Sequence, residues 1–287
     1  MIFIVIPSFN EKKFISQILE CLKVQTFQNY KIIISDNGSK DGTVEILEND
    51  NSIKLIKNDS SYFWTKSTNA GVKCVIENLA SEDDYILTLN CDSIIDENYL
   101  NSLLKFSKKN PNALVGSVNI EKSSNRVFFG GCKIDYLTAK YVRFNHKADF
   151  SEDLKLFQQS SHYLPGRGTL IPIKVFKRIG YYDESFPQYF ADYEFSYRAR
   201  KNSFPLIVNY DSPVYFFSGN TGLNNEVKKL SFIEFLTSFF DKKSPNNLYL
   251  RFRYNFKIIP IQYFFSYVLF DFFRVIFGSV VKQIKNI

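Results

Sequence analysis

The sequence is poor in the residues that build soft-metal or disulfide chemistry. Only two histidines, His146 and His162, occur in 287 residues, which excludes a His-rich metal site. The four cysteines, Cys21, Cys74, Cys91 and Cys132, are widely scattered and form no CxxC pair. They read as reduced thiols of a cytosolic protein. Cys91 adjoins a carboxylate of interest, Asp92, but no histidine stands near it in sequence. It reads as a small strand-end filler rather than a nucleophile. Met1 leads into an apolar run without a basic segment, so no secretory signal peptide is expected. Internal repeats and low-complexity linkers are also missing. Apolar residues, by contrast, make up 45% of the chain, enough for a sizeable core. The length accommodates one α/β domain of about 200–250 residues plus an appendage.

Positive charge is unevenly placed. The formal net charge is +7, and residues 242–287 carry all of it: Lys242, Lys243, Arg251, Arg253, Lys257, Arg274, Lys282 and Lys285 against Asp271 alone. A polyanion would therefore be met by the C-terminus. This basic charge sits in an apolar tail without a recognisable nucleic-acid module, so no nucleic-acid partner is expected.

Ile2–Ile6 is a short apolar run closed by Pro7, which predicts a buried strand. A helix follows with Phe14, Ile15, Ile18, Leu19 and Leu22 on one face. Strands are predicted at Lys31–Ser35, Ile53–Lys57 and Tyr85–Leu89, with helices at Val44–Leu47 and Thr65–Glu77 between them. That alternation signals a parallel α/β sheet. Later strands are expected at Ala113–Ile120, Arg126–Phe129, Leu206–Val208 and Val214–Phe217, and helices at Val175–Gly180 and Tyr193–Asn202. Residues 135–160 are polar and carry no clear period. Beyond Gly222 a tail of helices is expected.

In such a sheet ligands bind beyond the carboxyl ends of the strands. The informative polar residues fall there: Ser8–Glu11, Asp36–Ser39, Asn58-Asp59 and Asn90–Asp92. Alone, each is an ordinary turn or cap. Four in register point to a ligand cleft.

These segments resemble a known family. Ile4–Glu11 (Ile-Val-Ile-Pro-Ser-Phe-Asn-Glu), Gln25-Thr26-Phe27 and Ser35–Thr43 (Ser-Asp-Asn-Gly-Ser-Lys-Asp-Gly-Thr) look like the opening of family 2 glycosyltransferases. Trp64–Gly71 is similar to that family's aromatic segment ending in Asn-x-Gly. Leu89-Asn90-Cys91-Asp92 stands where the family carries Asp-x-Asp. Gly180–Phe186, Ala191–Phe195 and Arg198–Arg200 resemble its acceptor-side signature. The resemblance covers residues 1–222, in family order.

The fold it implies is the GT-A type of nucleotide-diphospho-sugar transferase, a mixed, mainly parallel sheet flanked by helices, with residues 223–287 as a helical tail. The implied activity is inverting transfer from a UDP- or dTDP-sugar donor to a hydroxyl of a lipid-linked bacterial surface glycan. A divalent cation, Mg²⁺ or Mn²⁺, would neutralise the departing diphosphate. By resemblance Asp92 holds that cation, helped by Asn90, and Pro7, Asn10, Glu11, Asp36, Lys66 and Asn90 line the donor nucleotide. Asp192 is the expected general base, although the same position suits a helix N-cap. Gly166, Arg167 and Glu194 are assigned to the donor sugar or acceptor, the two glycines of Gly166–Thr169 permitting close backbone approach. Trp64 is read as a plug of the domain rather than a nucleotide platform, and Lys66 has a solvated helix lysine as its plain alternative. His162 is either acceptor-side or structural. Two departures stand out: Asn90 is neutral where an aspartate is common, and Val214–Ser218 lacks the late histidine of many relatives.

In the tail, Ile258–Val281 is about long enough to span a bilayer, but polar residues interrupt it. On a helix, Tyr263, Tyr267, Asp271, Arg274, Lys282 and Lys285 share one sector and apolar residues cover the rest. That pattern predicts an interfacial helix on the inner, anionic face of the cell membrane. A helix docked on the catalytic domain or on a second subunit has the same pattern, and homo-oligomerisation stays open. Two rival functions are a catalytically silent nucleotide-sugar-binding or scaffold protein of the same fold, and a sugar nucleotidyltransferase. The latter wants a Gly-rich basic loop after the first strand, which Pro7–Lys13 is not.

Overall fold

The computed structural model describes residues 1–217 and 231–285. The expected boundary at 222/223, Ser218, and the side chains of Lys282 and Lys285 lie outside what it describes. The first half follows the apolar rhythm closely. Strand β1 (Ile2–Ser8) is buried throughout except at half-buried Pro7, the signature of a parallel strand covered on both faces. Helix α1 (Lys12–Lys23) lays Ile15, Ile18, Leu19 and Leu22 on the sheet. Then come β2 (Tyr30–Asp36), α2 (Thr43–Glu48), β3 (Ile53–Lys57), α3 (Trp64–Asn78) and β4 (Tyr85–Thr88). The four strands run parallel in the order β3-β2-β1-β4. Helix α3 sits directly on β1 because Gly71 has no side chain: a Cβ there would lie 2.5 Å from Val5 Cγ1.

The second half was harder to read. Helix α4 (Tyr99–Lys109) buries Tyr99, Leu100, Leu103 and Leu104, an i, i+4 face absent from the sequence expectations. Strands β5 (Leu114–Glu121) and β6 (Arg126–Phe129) lie close to where expected. The polar stretch after them holds a small hairpin, β7 (Cys132–Asp135) with β8 (Lys140–Arg143), a 3-10 turn at Glu152–Leu156, and β9 (Gln158–Ser160). Next come β10 (Thr169–Pro172), α5 (Ile173–Ile179), α6 (Ala191–Lys201) and β11 (Leu206–Phe216). Two strands were expected where β11 is one. Its register on β5 shifts between Asn209 and Val214, and Asn209 Nδ2 donates to Ser212 Oγ at 2.7 Å across that irregularity. This bulge breaks the apolar alternation and accommodates Pro213.

The main sheet runs β3-β2-β1-β4-β10-β5-β11-β9, with β6 pairing antiparallel to β5 off this path. Strand β10 is antiparallel to both neighbours. Its first residue, Thr169, pairs with the last of β4, Thr88. The loop entering β10 therefore meets the loop leaving β4 at the carboxyl edge of the parallel strands.

The tail comprises α7 (Phe232–Thr237), α8 (Leu248–Ile258) and α9 (Phe264–Lys285). Asn247 caps α8, its side chain accepting from Leu250 N at 2.9 Å. Leu250, Tyr254 and Ile258 face inward, and the Tyr254 ring packs on Phe190 with centroids 5.2 Å apart. These residues, with Ile259 and Tyr267, complete the core cluster on one face of the sheet.

The polar sector of α9 faces the protein. Tyr267 is buried and its hydroxyl lies 2.9 Å from that of Tyr141 on β8. Asp271 is 3% exposed and accepts from Arg251 at 2.9 and 3.1 Å, from Asn255 at 3.2 Å and from Arg274. Arg274 of this sector and Arg251 of α8 are engaged by this buried carboxylate, which needs counter-ions. The outward surface is instead apolar, with Phe265, Leu269, Phe272, Phe273 and Phe277 exposed.

Candidate functional site: a carboxylate-lined cleft at the strand ends

The nucleotide side is built from backbone turns held by side chains. Strands β1 and β2 end level, Ser8 beside Asp36. The buried Asp36 carboxylate accepts from Ser39 N at 2.8 Å and Ser39 Oγ at 2.6 Å, which closes the Asn37–Lys40 turn. Asn10, in the left-handed region at φ 55°, donates its N–H to Ser39 Oγ and accepts from Lys40 N at 2.9 Å. Pro7 is the half-buried residue near the end of β1, and its carbonyl accepts from the Cys91 thiol. Glu11 starts α1. Burial raises its carboxyl to about 7, with the Asp92 and Asp41 charges adding to the effect and Arg167 opposing it. Pro7, Asn10, Glu11 and Asp36 thus share one edge of the sheet. Lys66 does not join them in a polar contact: it is exposed, and its ammonium rests over the Tyr62 ring at 5.2 Å.

The other side is built by the loop that enters β10. Arg167 Nη2 donates to Asp92 Oδ2 at 2.7 Å, both side chains being only 11% exposed. Asp92 Oδ1 and Arg167 Nε are buried without a hydrogen-bond partner. The guanidinium lies over Phe216 at 4.1 Å, and Asn119 Nδ2 donates to the Arg167 carbonyl at 3.3 Å. One residue earlier, Gly166 N donates to Asp192 Oδ2 at 3.3 Å. Adjacent residues of one loop therefore touch both carboxylates expected to do chemistry.

Asp192 is not the N-cap of α6. Phe190 holds that place, at φ 72°, and Asp192 lies in the first turn. Its carboxylate also accepts from Tyr193 N at 3.0 Å. Burial raises its pKa to about 6, the two backbone donors opposing the rise. Glu194 is 5% exposed, and both of its oxygens accept from Arg198 Nε at 2.8 and 2.9 Å. Arg198 in turn donates to the carbonyls of Ile179 and Tyr181. Glu194 is buried against Arg198 and orients the clamp between α6 and the chain after α5, a structural task beside the one expected of it.

The Gly166 expectation also changes its reason. A Cβ there would lie 2.2 Å from the Trp64 ring, so the glycine makes room for tryptophan rather than for a ligand. Trp64 is wedged among Gly166, Tyr182 and Asn90, whose Oδ1 accepts from Nε1 at 3.3 Å. This is the plug. His162 accepts from Ile134 N at 3.1 Å and stacks on Tyr136, a structural role, and burial lowers its pKa to about 4. Asn69 had no assigned task. It makes three hydrogen bonds to the Tyr182–Glu184 turn, tying α3 to the segment that leads to Asp192.

No three His, Cys, Asp or Glu side chains converge on one point among the described residues. The chain's offering to a cation is Asp92, with its unpartnered buried Oδ1, beside Asn90 and the Glu11 charge. Hard oxygen donors of this kind fit Mg²⁺ or Mn²⁺.

A mixed sheet of this order, with carboxylates gathered where its parallel strands end, places the protein in the GT-A class of glycosyltransferase folds. Solved structures of this class superpose on it. GalNAc-T7 with UDP, GalNAc and Mn²⁺ gives a TM-score of 0.62 at 15% identity, over 95% of this chain and 57% of that one. A mannosyltransferase of Pyrobaculum calidifontis with GDP-Man and Mn²⁺ gives 0.59 at 10% identity, over 99% and 72%. The sequence profile of glycosyl transferase family 2 matches residues 3–180, and the chain belongs to that family. Among its relatives are chondroitin synthase of Escherichia coli, 25% identical over 68% of this chain and 31% of its own length, and the succinoglycan biosynthesis protein ExoA of Rhizobium meliloti, 25% identical over 74% and 62%. Glycosyltransferase GlyG of Streptococcus pneumoniae serotype 4 is 25% identical over 45% and 43%. The chain thus spans less than two thirds of each of these relatives.

Proposed function

We propose that the protein inverts the anomeric centre of a UDP- or dTDP-sugar while transferring the sugar to a hydroxyl of a lipid-linked bacterial surface glycan. The observation that carries this reading is the Gly166-Arg167 loop, whose adjacent residues contact Asp192 and Asp92. One element thereby sets the distance between a base and the diphosphate pole. Asp192 accepts the acceptor's proton as that oxygen bonds to the anomeric carbon and the nucleoside diphosphate leaves with the broken C–O pair. Its raised pKa suits a base that must be ionised near neutrality yet hold a proton transiently. Asp92 and Asn90 would hold a divalent cation, Mg²⁺ or Mn²⁺, which supplies positive charge to the leaving diphosphate. Pro7, Asn10, Glu11 and Asp36 form the nucleotide wall, and the Arg167 side supports the sugar.

The setting we propose is the inner face of the cell membrane. The 21-residue stretch Ile261–Val281 is long and apolar enough to cross a membrane, but its polar sector is engaged with the protein, so it lies flat with its phenylalanine face in lipid. Names of the relatives, a chondroitin synthase and a succinoglycan biosynthesis protein, support a polysaccharide acceptor.

Thermal unfolding with Mn²⁺ and a panel of UDP- and dTDP-sugars tests the reading. The true donor raises Tm by mass action, about 2.7 kcal/mol at a hundredfold excess over Kd. Asp92→Ala abolishes that protection and Asn90→Ala reduces it. Full transfer in excess EDTA would end the metal role.

A further inference from the structure

We infer that Arg167 is a resident counter-cation of the donor site, which holds Asp92 when no divalent cation is bound and must release it when one arrives. This deepens the proposed function and rests on it. The Arg167 guanidinium occupies Asp92 Oδ2 at 2.7 Å, in a contact both partners bury to 11% exposure. A cation bound to Asp92 and a guanidinium bound to the same carboxylate repel each other at close range. They compete for it.

Three features of the loop suit it to release. The Arg167 Nε is buried with no partner, so the ion pair is only partly satisfied. A two-nitrogen fork on the carboxylate would be the strong form, and here a single nitrogen bonds. The guanidinium also has a second seat, the face of Phe216 at 4.1 Å, which can keep it when Asp92 lets go. By contrast the backbone of the loop is fixed. Gly168 takes φ +79° with Val214 and Ser117 within 3 Å of where a Cβ would lie, and Asn119 holds the Arg167 carbonyl. Release is therefore a side-chain movement that leaves Gly166 N on Asp192. The released guanidinium would be free to pair with an anionic oxygen of the donor, a partner that arginine suits.

The consequence is ordered binding. The free cation binds weakly because it must displace Arg167 unaided. Nucleoside diphosphate gives the displaced guanidinium a new anionic partner, so cation and diphosphate bind together far better than the cation alone.

The test measures Mn²⁺ binding by the loss of its free electron-paramagnetic signal, without turnover. Arg167→Met keeps an unbranched apolar stem and removes the guanidinium from both Asp92 and the Phe216 face. With Mn²⁺ alone it should bind about tenfold tighter than wild type, the weight of one charge-assisted hydrogen bond. With UDP present its advantage should shrink or reverse, because the guanidinium no longer meets the diphosphate. Lys12→Met removes a positive charge on the same edge of the fold whose side chain lies against Gly42, and should change Mn²⁺ affinity less than threefold. Equal affinity of Arg167→Met and wild type for Mn²⁺ alone overturns the inference, as does weaker binding by the variant, or an equal gain from Lys12→Met. Unfolding midpoints of the variants report whether each is folded. If wild type binds no Mn²⁺ even with UDP, or Asp92→Ala binds it as well as wild type does, the functional reading itself fails.

Discussion

Replacing Asp192 with asparagine removes a charge and almost no volume. Gly166 N and Tyr193 N bond to different oxygens of Asp192, so the one carbonyl oxygen of asparagine keeps one of these two contacts and the other N–H loses its acceptor. Nor can asparagine take a proton. Turnover should fall by at least about 10²-fold, the lower range for a lost general base, with donor binding nearly unchanged. The pH dependence sharpens the test. Burial raises the carboxyl from 3.8 to about 6, so in wild type kcat/KM should fall about tenfold for each pH unit below about 6. The residual activity of the asparagine enzyme should lack that limb. Stability should move the other way. A raised carboxyl pKa means that ionisation opposes folding: the stability is full below 3.8 and is lost as pH rises through about 6. The loss amounts to at most about 3 kcal/mol, less where water reaches the half-buried group. The Tm of Asp192→Asn relative to wild type should therefore be higher at pH 8 than at pH 4. A carboxylate held at a cost to stability fits the role proposed for Asp192. Glu194→Gln is the contrast: it should lose stability by weakening the Arg198 clamp. Wild-type turnover by Asp192→Asn, or an acid limb that persists in it, refutes the assignment.

Two glycines predict opposite outcomes for one substitution. Gly71→Ala should destabilise, because about 1–3 kcal/mol of overpacking against Val5 outweighs a helix-propensity gain of about 1 kcal/mol. Gly278→Ala meets nothing within 4 Å on α9 and should stabilise by up to about 1 kcal/mol; chemical denaturation of both variants checks the signs. Phe265→Glu with Phe277→Glu, at positions 82% and 61% exposed, should cut flotation with anionic vesicles by about 10²-fold or more while leaving Tm unchanged. A fall in sedimenting mass with unchanged flotation would assign that face to a second subunit instead.

The parallel half of the sheet was legible because strands buried on both faces are written as unbroken apolar runs, and the turns after them carry Asp, Asn and Gly for reasons local to the chain. Asp36 closes its own turn through Ser39, three residues away. Where contacts cross the sequence, legibility ended. Arg167 and Asp92 are 75 positions apart, and no local pattern announces that one pairs with the other. Glu194 looked like a site acid because it stands two residues from Asp192, but its partner Arg198 is one helical turn on, an i, i+4 pair the sequence does offer. The hairpin at β7 and β8 escaped notice because its outward residues are polar and its strands are four residues long. In α9 the sequence showed the polar sector but not which way it turns, since that depends on Arg251 and Asn255 of another helix.

That orientation changes what the tail is for. Phe190 precedes α6 in a left-handed conformation, which a bulky side chain adopts only when its surroundings hold it there. The surroundings are tail residues: the Tyr254 ring at 5.2 Å and the Arg251 guanidinium at 5.4 Å. Arg251 is itself held by Asp271 of α9. A chain of contacts thus runs from the apolar helix through Asp271, Arg251 and Phe190 to the first turn of α6, where Asp192 sits. The tail supports the backbone that carries Asp192, the proposed base, and it cannot be removed as an independent anchor without exposing Phe186 and Phe190, which Tyr254 covers. Seating the outer face of α9 in lipid would then fix the cleft against the membrane through rigid packing rather than through a flexible tether, a geometry suited to an acceptor that stays in the lipid.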